Sequence, residues 1–270
     1  MGQTEYQLGH DPAELDRLNE QGGLLAPATT MLLQAAGIGP GMRVLDLGSG
    51  PGDHAFAVAR LVGPDGSVAG VERSAEAVAM ARARAGRLGL ANVTFTVGDI
   101  HDPAGGGPFD AVTCRLVLMY VPDPVAVLRA QAGVLRPGGL IAPVEFDVST
   151  ARTLPAVSLA VKAKGWITET FRRAGIEQSL GARLWEVLAD AGARPAGMLG
   201  VQPHYGPDDP GAAALLGGIV RTLMPVMERT GVATAGEVGP DTLISRMARE
   251  LAVHQAVFAH PMLMTAWGTV

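Results

Sequence analysis

Between residues 42 and 147 the chain alternates short apolar runs with amphipathic stretches of helical spacing. The apolar runs predict five strands, at 42–47, 67–72, 92–99, 109–115 and 140–147. The stretches between them predict helices at 53–63, 74–89 and 123–135. A strand–helix repeat of this length is typical of parallel strands joined by right-handed crossovers. The pattern therefore predicts an α/β fold with an open, doubly wound, mostly parallel sheet.

Capping residues mark where the predicted helices begin. Ser74 precedes the second helix, and Asp123 precedes the third, with Pro124 at its first position. Ser and Asp side chains accept hydrogen bonds from the free N–H groups of a first helical turn, and Pro fits the first helical position. Asp11 and Pro12 form the same pair near the start of the chain, so a further helix is predicted to begin there.

The pattern changes after the fifth strand. A predicted helix at 179–192 and a predicted strand at 193–202 continue the alternation. Two longer segments, 149–176 and 205–256, are mostly helical by spacing, and 254–267 predicts a final pair of strands. Because these segments exceed what a plain crossover needs and no linker separates them, we expect helical cap insertions on one sheet.

We expect a single domain over 1–270, with the ligand-binding core at 40–147. Ligands of open α/β sheets bind outside the carboxyl ends of the strands. The caps are expected to fold over that edge and to form a mainly apolar pocket. Methionines adapt to irregular shapes, so Met119, Met224 and Met227 suit a pocket for a bulky ligand.

Composition excludes several classes of protein. A hydrophobic content of 48% with 17% charged residues is ordinary for a globular protein, and the net charge of −5 disfavours a nucleic-acid partner. The single cysteine and the absence of an apolar leader favour a cytoplasmic location. Charged, Gly or Pro residues interrupt every apolar run, so we expect no membrane partner. No Cys/His cluster has metal spacing, so no metal is expected.

The glycines of "VLDLGSGPGDH" indicate a nucleotide-like ligand at the end of the first strand. Gly48, Gly50 and Gly52 alternate there, and such loops bind either a dinucleotide or S-adenosylmethionine (SAM). A dinucleotide fingerprint needs Gly or Ala where this chain has Asp53. The Asp46 carboxylate would also repel a pyrophosphate, whereas it suits a cationic ligand. The loop therefore favours SAM over a dinucleotide.

The same stretch resembles motif I of the class I SAM-dependent methyltransferases, and the likeness continues in register over 40–147. Glu72 matches the acidic residue that accepts hydrogen bonds from both ribose hydroxyls in that family. "GDI" resembles its adenine motif, which implies that Asp99 accepts from the adenine amino group and that the Ile100 N–H meets a ring nitrogen. The resemblance implies a Rossmann-like fold and SAM as cofactor.

Two later motifs extend this resemblance. "FDAVTCRLVLMYVPDP" resembles the fourth-strand motif that leads to the methyl-donating centre, and "LRPGGLIAPVEFD" completes the set. Arg115 is accordingly a candidate for the methionine end of the pocket. Arg73 is a candidate for stacking on adenine, with a solvated arginine as the alternative. Residues 1–30 are expected to form a lid helix, from which Tyr6 closes over the cofactor.

Candidate catalytic residues follow from the expected position of strand ends. Methyl transfer from a sulfonium is an in-line displacement that depends on alignment, and a general base is needed only when the acceptor keeps its proton. Glu145 and Asp147 end the fifth strand, and His204 and Tyr205 follow the sixth. We take Glu145 and His204 as the residues that orient or deprotonate the acceptor. His54 begins a helix beside the glycine loop, where the helix dipole favours a neutral imidazole.

More loosely, the whole chain resembles small-molecule methyltransferases of actinobacteria, through "YQLGHDPAELDRL" and "WITETFRRAG". This implies methylation of a small, largely apolar metabolite, as in secondary metabolism. Two alternatives stay open: a SAM-binding enzyme that rearranges or cyclises its substrate without methyl transfer, and a SAM-binding regulatory protein. The expected partners are a small-molecule acceptor and a second copy in a homodimer, with no nucleic acid and no membrane.

Overall fold

The computed structural model describes the backbone of residues 12–270 and the side chains of residues 24–270. The chain forms two compact units. The first, here called the sheet unit, comprises Leu18–Phe146, Leu180–Val201 and Leu263–Val270. The second, the insertion unit, is built mainly from Asp147–Ser179 and Gln202–Met262.

A seven-stranded sheet forms the centre of the sheet unit, in the order β3-β2-β1-β4-β5-β10-β7. Its strands are β1 (Arg43–Leu47), β2 (Ser67–Glu72), β3 (Val93–Val97), β4 (Phe109–Arg115), β5 (Leu135–Asp147), β7 (Arg194–Val201) and β10 (Met262–Thr269). Strands β1 to β5 pair in parallel, and β10 runs antiparallel to β7. The predicted α/β fold with a mostly parallel, doubly wound sheet is confirmed.

Helices precede and connect these strands, as the sequence predicts. They are α1 (Pro12–Ala35), α2 (Asp53–Val62), α3 (Ala75–Arg87), α4 (Pro124–Ala132) and α6 (Leu180–Asp190). Ser74 caps α3 by accepting from the Ala77 N–H at 3.2 Å, and Asp123 caps α4 by accepting from the Ala126 N–H at 2.8 Å. Val44 of β1 has no exposed surface, which explains the unbroken apolar runs of central parallel strands.

The fifth strand differs from its prediction. The sequence pattern extends the preceding helix to residue 135 and starts the strand at residue 140, whereas β5 already begins at Leu135. Leu135 pairs with Phe109, and the β4–β5 register then shifts before Ala111 pairs with Leu140. The "RPGG" segment is therefore an irregular part of β5 and not only a helix stop.

The insertion unit contains a small sheet that the sequence pattern did not reveal. Three antiparallel strands pair in the order β6-β9-β8: β6 (Arg152–Leu154), β8 (His204–Tyr205) and β9 (Val257–Ala259). Strands of two or three residues are too short to show a period. The predicted final pair of strands exists as β9 and β10, but its two members belong to different sheets.

The remainder of the insertion unit is helical, as predicted. Its helices are α5 (Ser158–Ala174), α7 (Pro210–Thr230), α8 (Ala235–Val238) and α9 (Pro240–Val253). Helix α7 packs against α5 and α9, and a Cβ at Gly217 would lie 2.7 Å from the Ile244 side chain of α9. Leu223 and Met227 of α7 are completely buried. Placement of these helices over the strand ends stays a prediction.

Helix α7 is also the most apolar long helix of the insertion unit. Within residues 12–270 it is the one helix whose length and composition would let it cross a membrane, and 44% of its most apolar window is buried. Core helices of folded proteins pass the same test. The expectation that the chain has no membrane partner stays a prediction.

Candidate cofactor site at the glycine loop

The three alternating glycines all have left-handed backbone conformations, but they face different surroundings. Their φ angles are 62°, 50° and 99° at Gly48, Gly50 and Gly52. A Cβ at Gly48 would lie 2.8 Å from the Val117 side chain, and one at Gly52 would lie 2.5 Å from the Phe56 ring. A Cβ at Gly50 would meet no atom within 4 Å. A side chain at position 48 or 52 would clash with its neighbours, so these two positions require glycine. Gly50 instead borders open space in which a ligand has room.

Glu72 joins the end of β2 to this loop. The side chain is 8% exposed, its Oε2 accepts from the Gly50 N–H at 3.0 Å, and its Oε1 accepts from the Ser74 N–H at 2.8 Å. A carboxylate offers about four acceptor positions, so two stay available for hydroxyl donors. This arrangement fits the predicted ribose contact.

The turn after β3 holds the predicted adenine residues. Asp99 is exposed, and its Oδ1 accepts from the His101 N–H at 2.9 Å and from the His101 Nδ1 at 2.7 Å. These hydrogen bonds from His101 lower the pKa of Asp99 and keep it ionised. Gln131, which is completely buried on α4, donates to the Ile100 carbonyl at 2.9 Å and fixes the turn. The sequence pattern gave no indication of Gln131.

A buried polar group lies where β1, β4 and α2 meet. Asp46 has no exposed surface, and among the described residues neither of its oxygens has a hydrogen-bond partner of normal geometry. The His54 Nε2 lies 3.8 Å from Oδ1, and the Ala55 backbone N–H also acts on the carboxylate. Burial raises the pKa of Asp46 well above its ordinary value, against the opposing charge of Arg115. A buried carboxylate with so few donors is costly, and the predicted contact of Asp46 with a cationic ligand stays a prediction.

His54 is a neutral imidazole, as expected, but burial is the main reason. Burial and the charge of Arg115 lower its pKa well below 6.5. Thr113 fixes the tautomer, because its hydroxyl donates to the Ala142 carbonyl at 2.8 Å and must therefore accept from the His54 Nε2 at 3.1 Å. The His54 Nδ1 is consequently an acceptor, and it has no partner within the described chain.

Arg115 connects the end of β4 to helix α1. It is half-buried, and its Nη1 donates to the Thr29 Oγ1 at 3.3 Å. Burial lowers its pKa, while the carboxylates of Asp53 and Asp46 raise it. The charge of Arg115 therefore acts on Asp46 and Asp53, which come just before and just after the glycine loop in the chain.

An ion pair fixes the far side of the glycine loop. Arg84 of α3 donates to both carboxylate oxygens of Asp53, at 2.7 and 2.9 Å, and to the Pro51 carbonyl at 2.8 Å. Its guanidinium also lies over the Phe56 ring, 5.2 Å from the ring centroid. Asp53, which occupies the position where a dinucleotide motif needs Gly or Ala, thus has a structural role. The sequence pattern did not reveal Arg84.

The two candidate catalytic residues belong to different compact units. Glu145 of β5 is completely buried, and burial raises its pKa to about 7, against three backbone N–H groups that lower it. His204 of β8 is exposed, and its Nδ1 donates to the Gln202 carbonyl at 2.9 Å. Asp147 caps the next turn by accepting from the Ser149 N–H at 3.1 Å. Their catalytic roles stay predictions.

The structure says less about the candidate residues Arg73 and Tyr6. Arg73 is exposed directly after Glu72. Tyr6 lies outside the described residues; the backbone of the predicted lid at 1–30 is described from Pro12, where α1 begins, and its role as a lid stays a prediction. Over the described part of the chain, no group of three or more His, Cys, Asp or Glu side chains is arranged to hold a metal ion.

The parallel sheet and its glycine loop define a Rossmann-like nucleotide-binding protein. The family model described as "Methyltransferase domain" matches residues 38–178, more than half of the chain. The chain therefore belongs to this methyltransferase family, as its motifs predicted. SAM is the cofactor that this membership supports. The residues present fit it, because Gly50 borders open space and its N–H binds the Glu72 carboxylate, which keeps two acceptor positions for hydroxyl donors.

Three known proteins illustrate the similarity. The arsenite methyltransferase of Aquipseudomonas alcaligenes is 43% identical over 43% of this chain and 34% of its own length. The nocamycin O-methyltransferase of Saccharothrix syringae is 31% identical over 67% of this chain and 60% of its own length. The crystal structure of the [4+2]-cyclase SpnF superposes with a TM-score of 0.55 at 21% identity, over 89% of this chain and 80% of its own. The chain thus spans between about a third and three fifths of these two curated relatives, and SpnF shares the fold.

Proposed function

We propose that this protein transfers a methyl group from SAM to a small, largely apolar molecule. One observation supports the cofactor part: the open position at Gly50 adjoins the Glu72 carboxylate, which accepts from the Gly50 N–H. SAM supplies a methyl group on a sulfonium, which an acceptor atom takes by in-line displacement. Binding and alignment are therefore the main tasks of the protein.

Each cofactor residue has a role that its contacts support. Glu72 would accept from the ribose hydroxyls, since two of its acceptor positions are unused by Gly50 and Ser74. Asp99 would accept from the adenine amino group through Oδ2, because both bonds from His101 end on Oδ1. Arg115 would act near the methionine end through its charge.

An apolar acceptor is supported by helix α7. Its fully buried face includes Leu216, Val220 and Leu223, yet Leu215 and Ile219 form a second apolar row that is only half-buried. Residues four apart lie on the same face of a helix, so this row is a continuous apolar surface. A partly covered apolar row of this kind is able to bind a small apolar molecule, as in secondary metabolism.

Arsenite is a poor candidate for the acceptor despite the similarity to an arsenite methyltransferase. Trivalent arsenic is thiophilic and requires thiolate ligands, which are the soft ligands that proteins offer. This chain has one cysteine, Cys114, which is completely buried, and burial raises the pKa of its thiol well above the ordinary value. We therefore propose an organic acceptor.

The experiment uses SAM that carries a deuterated methyl group and a panel of small hydroxylated, amino and carbon-acid metabolites. Mass spectrometry should show one acceptor that gains a labelled methyl group in place of a hydrogen. Glu72→Ala should lose this product, and Glu76→Ala, which changes an exposed carboxylate on α3, should keep it. Consumption of a substrate without gain of the label would instead favour rearrangement or cyclisation.

A further inference from the structure

Glu145 is sealed from solvent on every side. Its side chain has no exposed surface, and it lies on β5 beside the central strand β4. Helix α6 closes the backbone side, because a Cβ at Gly181 would lie 2.9 Å from the Glu145 carbonyl oxygen. A carboxylate in this position has no contact with solvent through which an acceptor would reach it.

The Glu145 carboxylate holds the loop that follows β4. Its Oε1 accepts from the Val117 N–H at 2.9 Å and from the Leu118 N–H at 2.7 Å. Hydrogen bonds to an ionised acceptor are shorter and stronger than neutral ones. Glu145 therefore fixes two consecutive peptide groups of this loop.

The loop needs such support because its first residue is strained. Leu116 has a φ of 56°, a left-handed conformation that a bulky residue rarely adopts. Strained residues persist only where neighbouring contacts hold them in place. The Leu116 N–H donates to the Val144 carbonyl at 2.9 Å, and Glu145 holds the two residues that follow.

The same loop packs against the first glycine of the cofactor site. A Cβ at Gly48 would lie 2.8 and 3.0 Å from the two methyl groups of Val117. Val117 therefore fills the space beside Gly48, and a displacement of Val117 would move or loosen the glycine loop. A continuous contact path leads from Glu145 through Val117 to Gly48.

We infer that Glu145 is a positioning residue of the cofactor site, which holds Val117 against Gly48, and not the base that takes a proton from the acceptor. This inference rests on the proposed function, in which SAM occupies the glycine loop. It assigns to Glu145 an effect on cofactor affinity, whereas a base would affect only the transfer step.

Cofactor affinity should also depend on pH through Glu145. Burial raises the pKa of Glu145 to about 7, while the N–H groups of Val117, Leu118 and Met119 lower it. The titratable group that faces it from β4 is Cys114, whose thiol burial keeps protonated. Because only the ionised carboxylate makes charge-assisted bonds to the loop, cofactor affinity should rise as the pH increases through about 7.

Three variants separate a positioning residue from a base. Glu145→Gln keeps an acceptor oxygen for the loop, Glu145→Ala removes it, and Val117→Ala loosens the contact with Gly48 without touching a titratable group. Calorimetry with S-adenosylhomocysteine (SAH), which carries no transferable methyl group, gives the affinity at several pH values. Glu186→Ala, an exposed glutamate of α6, is the matched control.

We expect Glu145→Ala and Val117→Ala to weaken SAH binding by on the order of tenfold. Glu145→Gln should bind nearly as the wild type does, but without the pH dependence. If all three variants bind SAH like the wild type while Glu145→Gln and Glu145→Ala both lose turnover, Glu145 is a base and the inference is wrong. If Glu145→Ala does not fold, two results still test the positioning role: weaker SAH binding by Val117→Ala, and loss of the pH dependence of SAH affinity in Glu145→Gln. Failure of the wild type itself to bind SAH would instead overturn the cofactor site and this inference with it.

Discussion

Arg84 and Asp53 form a two-pronged ion pair between α3 and the first turn of α2. Nη2 lies 2.7 Å from Oδ1 and Nη1 lies 2.9 Å from Oδ2, and both side chains are about 15% exposed. The same guanidinium binds the Pro51 carbonyl inside the glycine loop. The loop is thus held by a residue 31 positions further along the chain.

This pair predicts energetic coupling between the two residues. In a double-mutant cycle with Arg84→Gln and Asp53→Asn, urea unfolding should give a coupling free energy of about 1–2 kcal/mol, because the pair is bidentate and largely shielded from water. Arg84→Gln should also weaken SAH binding. Additive effects of the two substitutions would show that the pair contributes nothing specific to the loop.

Glu72→Ala should weaken SAM binding while the fold stays intact. Hydrogen bonds to a charged group contribute roughly 1.5–3 kcal/mol each, so affinity should fall at least about tenfold. Calorimetry on the wild type and the variant measures this, with Glu76→Ala as the control. An unchanged dissociation constant would remove Glu72 from the site and would question the register of the motifs.

The protein should be stabilised by SAM and by SAH, but not by NAD or NADP. A ligand that binds only the folded protein raises its free energy of unfolding, by roughly 2.7 kcal/mol at a hundredfold excess over the dissociation constant. The Tm of thermal unfolding, measured with each ligand in turn, tests this prediction. A rise in Tm with a dinucleotide, and none with SAM, would contradict the cofactor assignment.

His260 should make the protein less stable in acid. Burial lowers its pKa to about 4, below the ordinary 6.5, although the Pro261 carbonyl opposes this shift. Between these pH values the unfolded chain binds a proton that the folded protein does not. The free energy of unfolding should therefore fall as the pH drops from 6.5 toward 4, by up to about 1.4 kcal/mol per pH unit.

The test compares the wild type with His260→Gln: urea unfolding gives the free energy of unfolding of each protein across this pH range. The variant should show a flatter pH dependence than the wild type, whereas His254→Gln, at an exposed position of the same unit, should not. Parallel curves for the wild type and His260→Gln would mean that His260 titrates normally in the folded protein.

The features that the sequence predicted are those that depend on residues close together in the chain. Central strands such as β1 are buried on both faces and read as apolar runs, and Ser74 and Asp123 cap helices through contacts three residues away. Motif spacing placed Glu72 beside the glycine loop, because the loop and the end of β2 follow one another in a fixed geometry.

The features that the sequence did not predict depend on packing between segments that are distant in the chain. Arg84 meets Asp53 only because α3 lies against α2, and nothing local distinguishes it from other arginines of the same helix. The end of β5 was predicted to carry Glu145 toward the site; its hydrogen bonds to Val117 and Leu118 and its complete burial follow from tertiary packing. The strands β6 and β8 are too short to carry a pattern.

The position of β10 has a consequence for biosynthesis. This strand, Met262–Thr269, lies between β5 and β7, so among the described strands β7 has no neighbour in the sheet until β10 has been translated. Until then β5 presents an open edge, and such edges readily pair with other chains. Strand β10 therefore has to insert before β5 and β7 share one sheet, and a chain cut off before Met262 would expose the edge of β5 and be prone to aggregation.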